Sequence, residues 1–342
     1  MKSAVAIVEA PFQFMSAVEY CEKYRVDSLV VFFLKNGHAN TSAQFKKITG
    51  LFRKVAKTEI KIFEQRGLLG FISAYQKVNA MFSSGEQTVL LLGNYKSVYQ
   101  RVIESRIFAR TIVIDDGLAV LDAIEAIVTG TEKYTSDSLK LRAISWLVLK
   151  TQKNYQLFTM LPLDLLVKYA DLLPKDYHAN DLAVLKKLRA SKAPRFTSKY
   201  DLGIIGGPYL ELGLIKRDDY FSRLKTAILR IGARSVVYIP HRREDERYVS
   251  ELCERLGCAL YLTKESIEIS LLDGSLQCNS FLSFKSAAGF SINKLLPDVA
   301  LYFVSLSKVP SDRVDKNTED HTKAVLNAKL EYLFSSIGVV LN

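Results

Sequence analysis

Short runs of β-branched and aromatic residues, each separated from the next by an amphipathic segment, recur in two series along the chain. The first series reads Ala4 to Val8, Ser28 to Phe33, Glu59 to Phe63, Thr88 to Leu92 and Thr111 to Ile114. The second reads Leu202 to Ile205, Ser235 to Ile239, Ala259 to Leu262, Phe281 to Phe284 and Val299 to Val304. Strands alternating with helical segments are joined by crossovers rather than hairpins, which gives parallel sheets covered by helices. Two such series in 342 residues, more than one core usually organises, predict an α/β fold of two Rossmann-like domains facing a central cleft.

Between the series, Ala119 to Leu188 has a long helical pattern that ends in the polar, basic stretch Ser191 to Lys199, where Pro194 is a breaker. The expected domains are residues 1–190 and 200–310. A tail over 311–342 follows, with a helix over His321 to Phe334 expected to pack back across the hinge.

Hydrophobic residues make up 49% and charged residues 24%, the balance of a soluble globular chain. Glu9 and Pro11 interrupt the first apolar run far short of a signal segment or a membrane span, so a cytoplasmic protein is expected. Cys21, Cys253, Cys258 and Cys278 form no CxxC pair and read as buried free thiols. The net charge of +11 suits nucleic acid, anionic lipid or an anionic small substrate. With no RNP-type aromatic motif, a nucleic-acid partner is not expected. Lys46, Lys47, Arg53, Lys54 and Lys57, interleaved with Ile48, Leu51, Phe52 and Val55, have the spacing of a membrane-surface helix and equally that of a solvated one. The same two readings of a basic run apply to Lys186, Lys187, Arg189, Lys192, Arg195 and Lys199.

In open α/β sheets, ligands bind beyond the carboxyl ends of the strands. Asp115-Asp116-Gly117 follows Thr111 to Ile114, so either carboxylate is placed to act as a general base on an acceptor hydroxyl; Asp-Gly is also common turn chemistry. Adjacent carboxylates are not the Asp-x-Asp of a transferase that chelates a metal-diphosphate, and the four histidines are scattered, so no metal is expected. His241 follows the strand ending at Ile239 and precedes Arg242 and Arg243, a setting suited to an anionic leaving group. Gly206-Gly207-Pro208 ends another run and would let a ligand approach the backbone, although it is no GxGxxG fingerprint. Around Lys285 and Ser286 the chain passes from strand to helix, which suits either phosphate binding or an ordinary helix cap. Ser286 lacks a G-x-S-x-G elbow, which excludes a hydrolase triad with Asp116 and His241.

In this order, the motifs resemble those of the bacterial lipooligosaccharide sialyltransferase and capsular polysialyltransferase group. Glu9 to Tyr20 looks like the family's opening, with a Pro-Phe-Gln turn leading from the first strand into a helix. Asp115-Asp116-Gly117 resembles its acidic-acidic-Gly motif, Tyr238 to Glu244 its His-Pro element, and Ser286-Ala287 its paired serines. The resemblance implies a GT-B fold, an acceptor-side N-terminal and a donor-side C-terminal domain, a CMP-activated nonulosonic acid donor, a glycan acceptor that is often lipid-linked, inversion, and neither metal nor other cofactor. It also implies roles: Asp116, or Asp115, as base; His241 at the departing CMP phosphate; Ser286 and Ser283 on that phosphate; Glu268 on the ribose; Gln13 at the cleft; Asp218 and Asp219 as a second pair of base candidates. Arg242 stands where the family has Pro and Ala287 where it has a second Ser, which leaves Kdo, legionaminic or pseudaminic acid open as donor sugar. A transferase using another nucleotide sugar, or a silent glycan-binding relative, is the alternative.

Overall fold

The computed structural model describes residues 2–35, 39–83, 88–95, 97–105, 110–117, 120, 123, 155–162, 177–192, 198–241, 243–263, 265–284, 286–305 and 333–341. The chain divides into two compact units, Met1–Ala190 and Ser191–Asn342.

In the first unit, β1 (Ser3–Val8), β2 (Ser28–Lys35), β3 (Glu59–Arg66), β4 (Thr88–Leu92), β5 (Thr111–Ile114), β6 (Gln156–Thr159) and β7 (Tyr177–Ala179) form a sheet in the order β3-β2-β1-β4-β5-β6-β7. Every pairing is parallel. The connecting helices are α1 (Pro11–Tyr24), α2 (Ala39–Phe52), α3 (Gly67–Ser83) and α4 (Val98–Ser105), and α5 (Ala183–Lys192) follows β7. Central strands are buried on both faces, which is why β1 reads as an uninterrupted apolar run. Val5, Ile7, Val30, Phe32 and Leu90 pack with Ala74 and Val78 of α3 and Ile103 of α4. Phe14 of α1 meets Phe45 of α2 edge to face, with ring centroids 5.1 Å apart, and Phe33 of β2 stacks on Phe45 at 3.9 Å. α1 opens with Pro11, whose missing N–H would have no partner in a first turn anyway, and ends at Arg25 in the left-handed region.

The second unit repeats the plan. β8 (Tyr200–Ile205), β9 (Val236–Ile239), β10 (Ala259–Leu260), β11 (Cys278–Ser283), β12 (Ala300–Val304) and β13 (Val339–Leu341) run parallel in the order β10-β9-β8-β11-β12-β13. Its helices are α6 (Arg217–Ile231), α7 (Glu246–Leu256), α8 (Ile267–Leu272) and α9 (Ala288–Leu295). Leu202, Ile204, Val236, Tyr238, Leu282 and Phe284 pack with Tyr220, Leu224 and Ala227 of α6 and with Val249 and Leu252 of α7. Gly232 and Gly257 end α6 and α7 at positive φ, a conformation a side chain would strain.

Three strands differ from expectation. β6 and β7 lie inside the stretch expected to be helical, and β13 lies beyond the expected helical tail. They have four, three and three residues, too short to show alternation, and only pairing with β5 and β12 makes them strands. In the tail, 333–335 are helical, and the rest of the expected helix lies outside the described residues. Cys21, Cys253 and Cys278 are buried, Cys258 is partly exposed, and all four are free. Among the described residues no helix is long and apolar enough to cross a membrane.

Candidate functional site

Both sheets have the doubly wound strand order, which changes direction between β1 and β4 in the first unit and between β8 and β11 in the second. At such a switch point the helices of the two flanking crossovers leave on opposite faces, and a crevice opens beyond the carboxyl ends of the strands.

In the first unit Ile7, Leu92 and Val113 pair in one row. Two residues further along each strand path stand Glu9, Asn94 and Asp115, with Asp116 one step beyond. Asp115 is fully buried. Its Oδ2 accepts the Met160 N–H at 2.8 Å and the Asn180 side-chain N–H at 3.0 Å, and its Oδ1 accepts the Thr159 hydroxyl. The Asp115 N–H donates to Ser16 Oγ at 3.2 Å. The carboxylate therefore braces β5 against the ends of β6 and β7 while the backbone N–H ties it to α1, and the side chain has no surface to offer an acceptor hydroxyl. Of the two aspartates expected as base candidates, Asp115 is thus the one held inside the protein. Asp116 keeps exposed surface, and Gly117 turns the chain with φ of 64°.

Gln13, expected at a cleft, is 1% exposed. Its Oε1 accepts the Glu9 N–H at 2.7 Å, and a Cβ on Gly93 would lie 2.5 Å from that oxygen, so the glycine makes room for the side chain. Gln13 thus fixes the turn after β1 from inside. Glu9 accepts the Ser97 hydroxyl and, at 3.1 Å, the Gln100 side-chain N–H. Burial raises its carboxyl above the ordinary range, with Ser97, Gln100 and Asn94 acting in the opposite direction. Glu9 is a buried ionisable residue at this switch point, a place the sequence marked only through the turn that follows it.

In the second unit Ile205, Ile239 and Ser283 pair in one row. Gly206-Gly207, Pro240-His241 and Phe284 continue the three adjacent strand paths beyond it. The structure thus brings the glycine pair, the histidine and the serine segment to one edge of one sheet. His241 is partly exposed, and its Nδ1 accepts the Arg243 N–H at 3.2 Å. A nitrogen that accepts cannot carry the ring proton, so with Nδ1 accepting, the neutral form of His241 carries its proton on Nε2. Glu244, four residues past the Pro, accepts the His241 N–H at 2.6 Å and the Tyr238 hydroxyl at 2.6 Å. Burial pushes its carboxyl up to about 7.

The glycine pair has a different reason from the one expected. A Cβ on Gly206 would overlap Glu244 Oε2 and approach the Tyr238 hydroxyl to 2.8 Å, and one on Gly207 would overlap the Tyr209 ring. The protein's own side chains, rather than a ligand, fill the space that both glycines leave.

Ser286 is partly exposed, and its Oγ accepts the Ala288 N–H at 3.3 Å, just ahead of the N-cap residue Ala287 of α9. Ser283 is 2% exposed, and its Oγ is enclosed with no hydrogen-bond partner among the described residues. Glu268 is 7% exposed and accepts the Ser291 hydroxyl at 2.8 Å, which ties α8 to α9. Asp218 and Asp219 lie exposed in the first turn of α6, where carboxylates favour the helix end, and Asp218 is 3.7 Å from Arg255 of α7. Arg242 and Lys285 lie outside the described residues. Among the described residues no three His, Cys, Asp or Glu side chains are grouped to hold a metal ion.

No family model and no curated protein matches the chain. Solved structures do. One is an α/β-galactoside α-2,3-sialyltransferase from the luminous marine bacterium Photobacterium phosphoreum, with a TM-score of 0.54 at 10% identity over 99% of this chain and 98% of that one. A second is a UDP-N-acetylglucosamine 2-epimerase, described as putative, from Listeria monocytogenes, with a TM-score of 0.54 at 10% identity over 98% and 86%. A third is LpCGTa in complex with UDP, with a TM-score of 0.53 at 7% identity over 99% and 84%. At these identities the likeness establishes the fold, which is GT-B: α/β, with two Rossmann-like domains.

Proposed function

We propose that this chain is a glycosyltransferase that moves sialic acid or a related nonulosonic acid from a CMP-activated donor to a glycan acceptor, with inversion and without a metal. The observation that carries the reading is His241: an imidazole with Nδ1 engaged and its proton on Nε2, at the sheet edge where α/β folds bind ligands, beside the switch point. The fold shared with a sialyltransferase and the order of the acidic, histidine and serine motifs support it.

In the proposed reaction the acceptor hydroxyl oxygen attacks the anomeric carbon, and its proton passes to Asp116. The bond from that carbon to the phosphate oxygen breaks, and the charge left on the oxygen is met by the Nε2–H of His241. Ser286 would hold the phosphate by giving up its bond to the Ala288 N–H. Arg242 and Lys285 belong to the same donor segments by sequence. Glycan acceptors of this class are often lipid-linked, and Lys46, Lys47, Arg53 and Lys54 would bring the enzyme to an anionic membrane surface as a peripheral protein of the cytoplasmic face.

Calorimetry with free nucleotides tests the donor class. CMP is expected to bind with a Kd on the order of micromolar, about −8 kcal/mol, with UDP and GDP far weaker. Binding of UDP or GDP in preference to CMP would transfer the reading to another nucleotide sugar.

A further inference from the structure

Glu244 stands at the centre of the second unit's edge although no step of the proposed reaction uses it. Its Oε1 accepts the Tyr238 hydroxyl of β9, and its Oε2 accepts the His241 N–H, each at 2.6 Å. Its own N–H returns a bond to the His241 carbonyl at 2.9 Å, which closes the turn from both ends. Gly206, in the segment after β8, is bare of a side chain where Oε2 sits, so the carboxylate packs directly against that segment's backbone. One carboxylate therefore joins the turn after β9 to the segment after its neighbour β8.

We propose that Glu244 is the positioning residue of the donor-side site, holding the His241 turn closed against Gly206-Gly207 so that the Nε2–H of His241 keeps its direction. The substrate part of this proposal rests on the transferase reading above; the geometric part does not.

The side chains around Glu244 make its protonation matter. Tyr238 of β9 and Tyr220 of α6 share a hydroxyl contact of 2.8 Å, Tyr248 and Cys253 belong to α7, and Tyr209 and Glu211 come from the loop after β8. Burial is the main cause that lifts the carboxyl to about 7; the bonds from Tyr238 and His241 act against it, and the charge of Glu211 adds to it. Ionised, the carboxylate accepts from both donors with charge assistance. Protonated, it keeps the Tyr238 contact by donating to that hydroxyl, which can turn its own proton to Tyr220, but it no longer offers a charge to the His241 N–H, so the turn is held less strongly. The donor side is therefore tightened as pH rises through about 7.

The experiment compares the full-length chain with Glu244→Gln, Glu244→Ala and Tyr238→Phe by two readouts. The first is the His241 tautomer, read from imidazole 15N shifts at alkaline pH without any ligand. The parent and Glu244→Gln should show the Nε2–H form, and Glu244→Ala a mixture. If Glu244→Ala does not fold, Tyr238→Phe, which removes only the Oε1 bond, should give a partial shift. The second is CMP affinity by calorimetry across neutral pH. The ratio of parent to Glu244→Gln affinities cancels the titration of CMP itself, and it should rise about 10-fold with a midpoint near 7. Turnover in Glu244→Ala should fall about 100-fold, the cost of a misplaced catalytic group. An unchanged His241 tautomer in every variant overturns the proposal, and so does an affinity ratio that is flat with pH. If the tautomer shifts while CMP binds to none of the proteins, Glu244 keeps its place and the CMP reading is what fails.

Discussion

Oδ2 of Asp115 accepts the side-chain N–H of Asn180 at 3.0 Å, so the first carboxylate of the acidic pair ties the end of β5 to the residue that follows β7. The two aspartates are neighbours in sequence with opposite surroundings, one enclosed and one reaching the surface. Asp115→Asn would turn an amide N–H toward donors that now meet a carboxylate, and it should cost about 1–3 kcal/mol of stability in chemical denaturation. Asp116→Asn should leave stability within about 0.5 kcal/mol. It should lower turnover by a factor on the order of 100 or more, the usual range for a lost general base. Equal destabilisation by the two variants would contradict the division of roles.

Gly206 and Glu244 compete for one volume. Gly206→Ala should destabilise the chain by about 1–3 kcal/mol, the range for overpacking a filled interior. Combined with Glu244→Ala the loss should be less than additive, because the second change removes the atom the new Cβ meets. Denaturation curves for the two single variants and the double variant check this; strict additivity would place the strain elsewhere.

Glu19 of α1 accepts the N–H groups of Val184 and Leu185 at 2.9 Å each, and so caps α5 from another helix. Burial is the main cause that raises its carboxyl to about 7, against these bonds. The folded chain thus holds a proton that the unfolded chain releases near 4.5. This contribution to stability is complete below the unfolded value and is lost as pH rises through about 7. Glu19→Gln should therefore flatten the fall in stability between weakly acidic and weakly alkaline buffer, as read by urea midpoints. A slope unchanged by the substitution would assign the pH dependence to other groups.

Lys46 and Lys47 are exposed on α2, and Arg53 and Lys54 are exposed just beyond its end. If this surface carries the chain to an anionic membrane, charge reversal at all four should abolish cosedimentation with anionic vesicles and leave the CMP affinity unchanged. Binding that survives the reversal would remove this stretch from the account.

Several elements are legible in the amino-acid order because their information is local. The β-branched runs that form β1, β2, β4, β5 and β9, and the polar residues at their carboxyl ends, follow from alternation and composition within a few residues. Other features are not legible there because their causes are distant in the chain. Leu157 and Phe158 are strand residues through pairing with Val113 and Ile114, and the short tail strand through pairing with Tyr302 to Val304. Gln13 reads as a cleft residue by its place after β1, whereas its burial depends on Gly93, which is 80 positions away and packs against it.

The sequence by itself determined that this chain builds parallel sheets in two series and sets aspartates, a histidine and serines where strands end, since these depend on residue order alone. Only the tertiary structure decided which of those residues are spent inside the protein. Asp115 meets partners 99, 44, 45 and 65 positions away, and the space at Gly206 is taken by a carboxylate that folds back from beyond β9. Burial and hydrogen-bond satisfaction are properties of such long-range contacts, and no window of local sequence contains them.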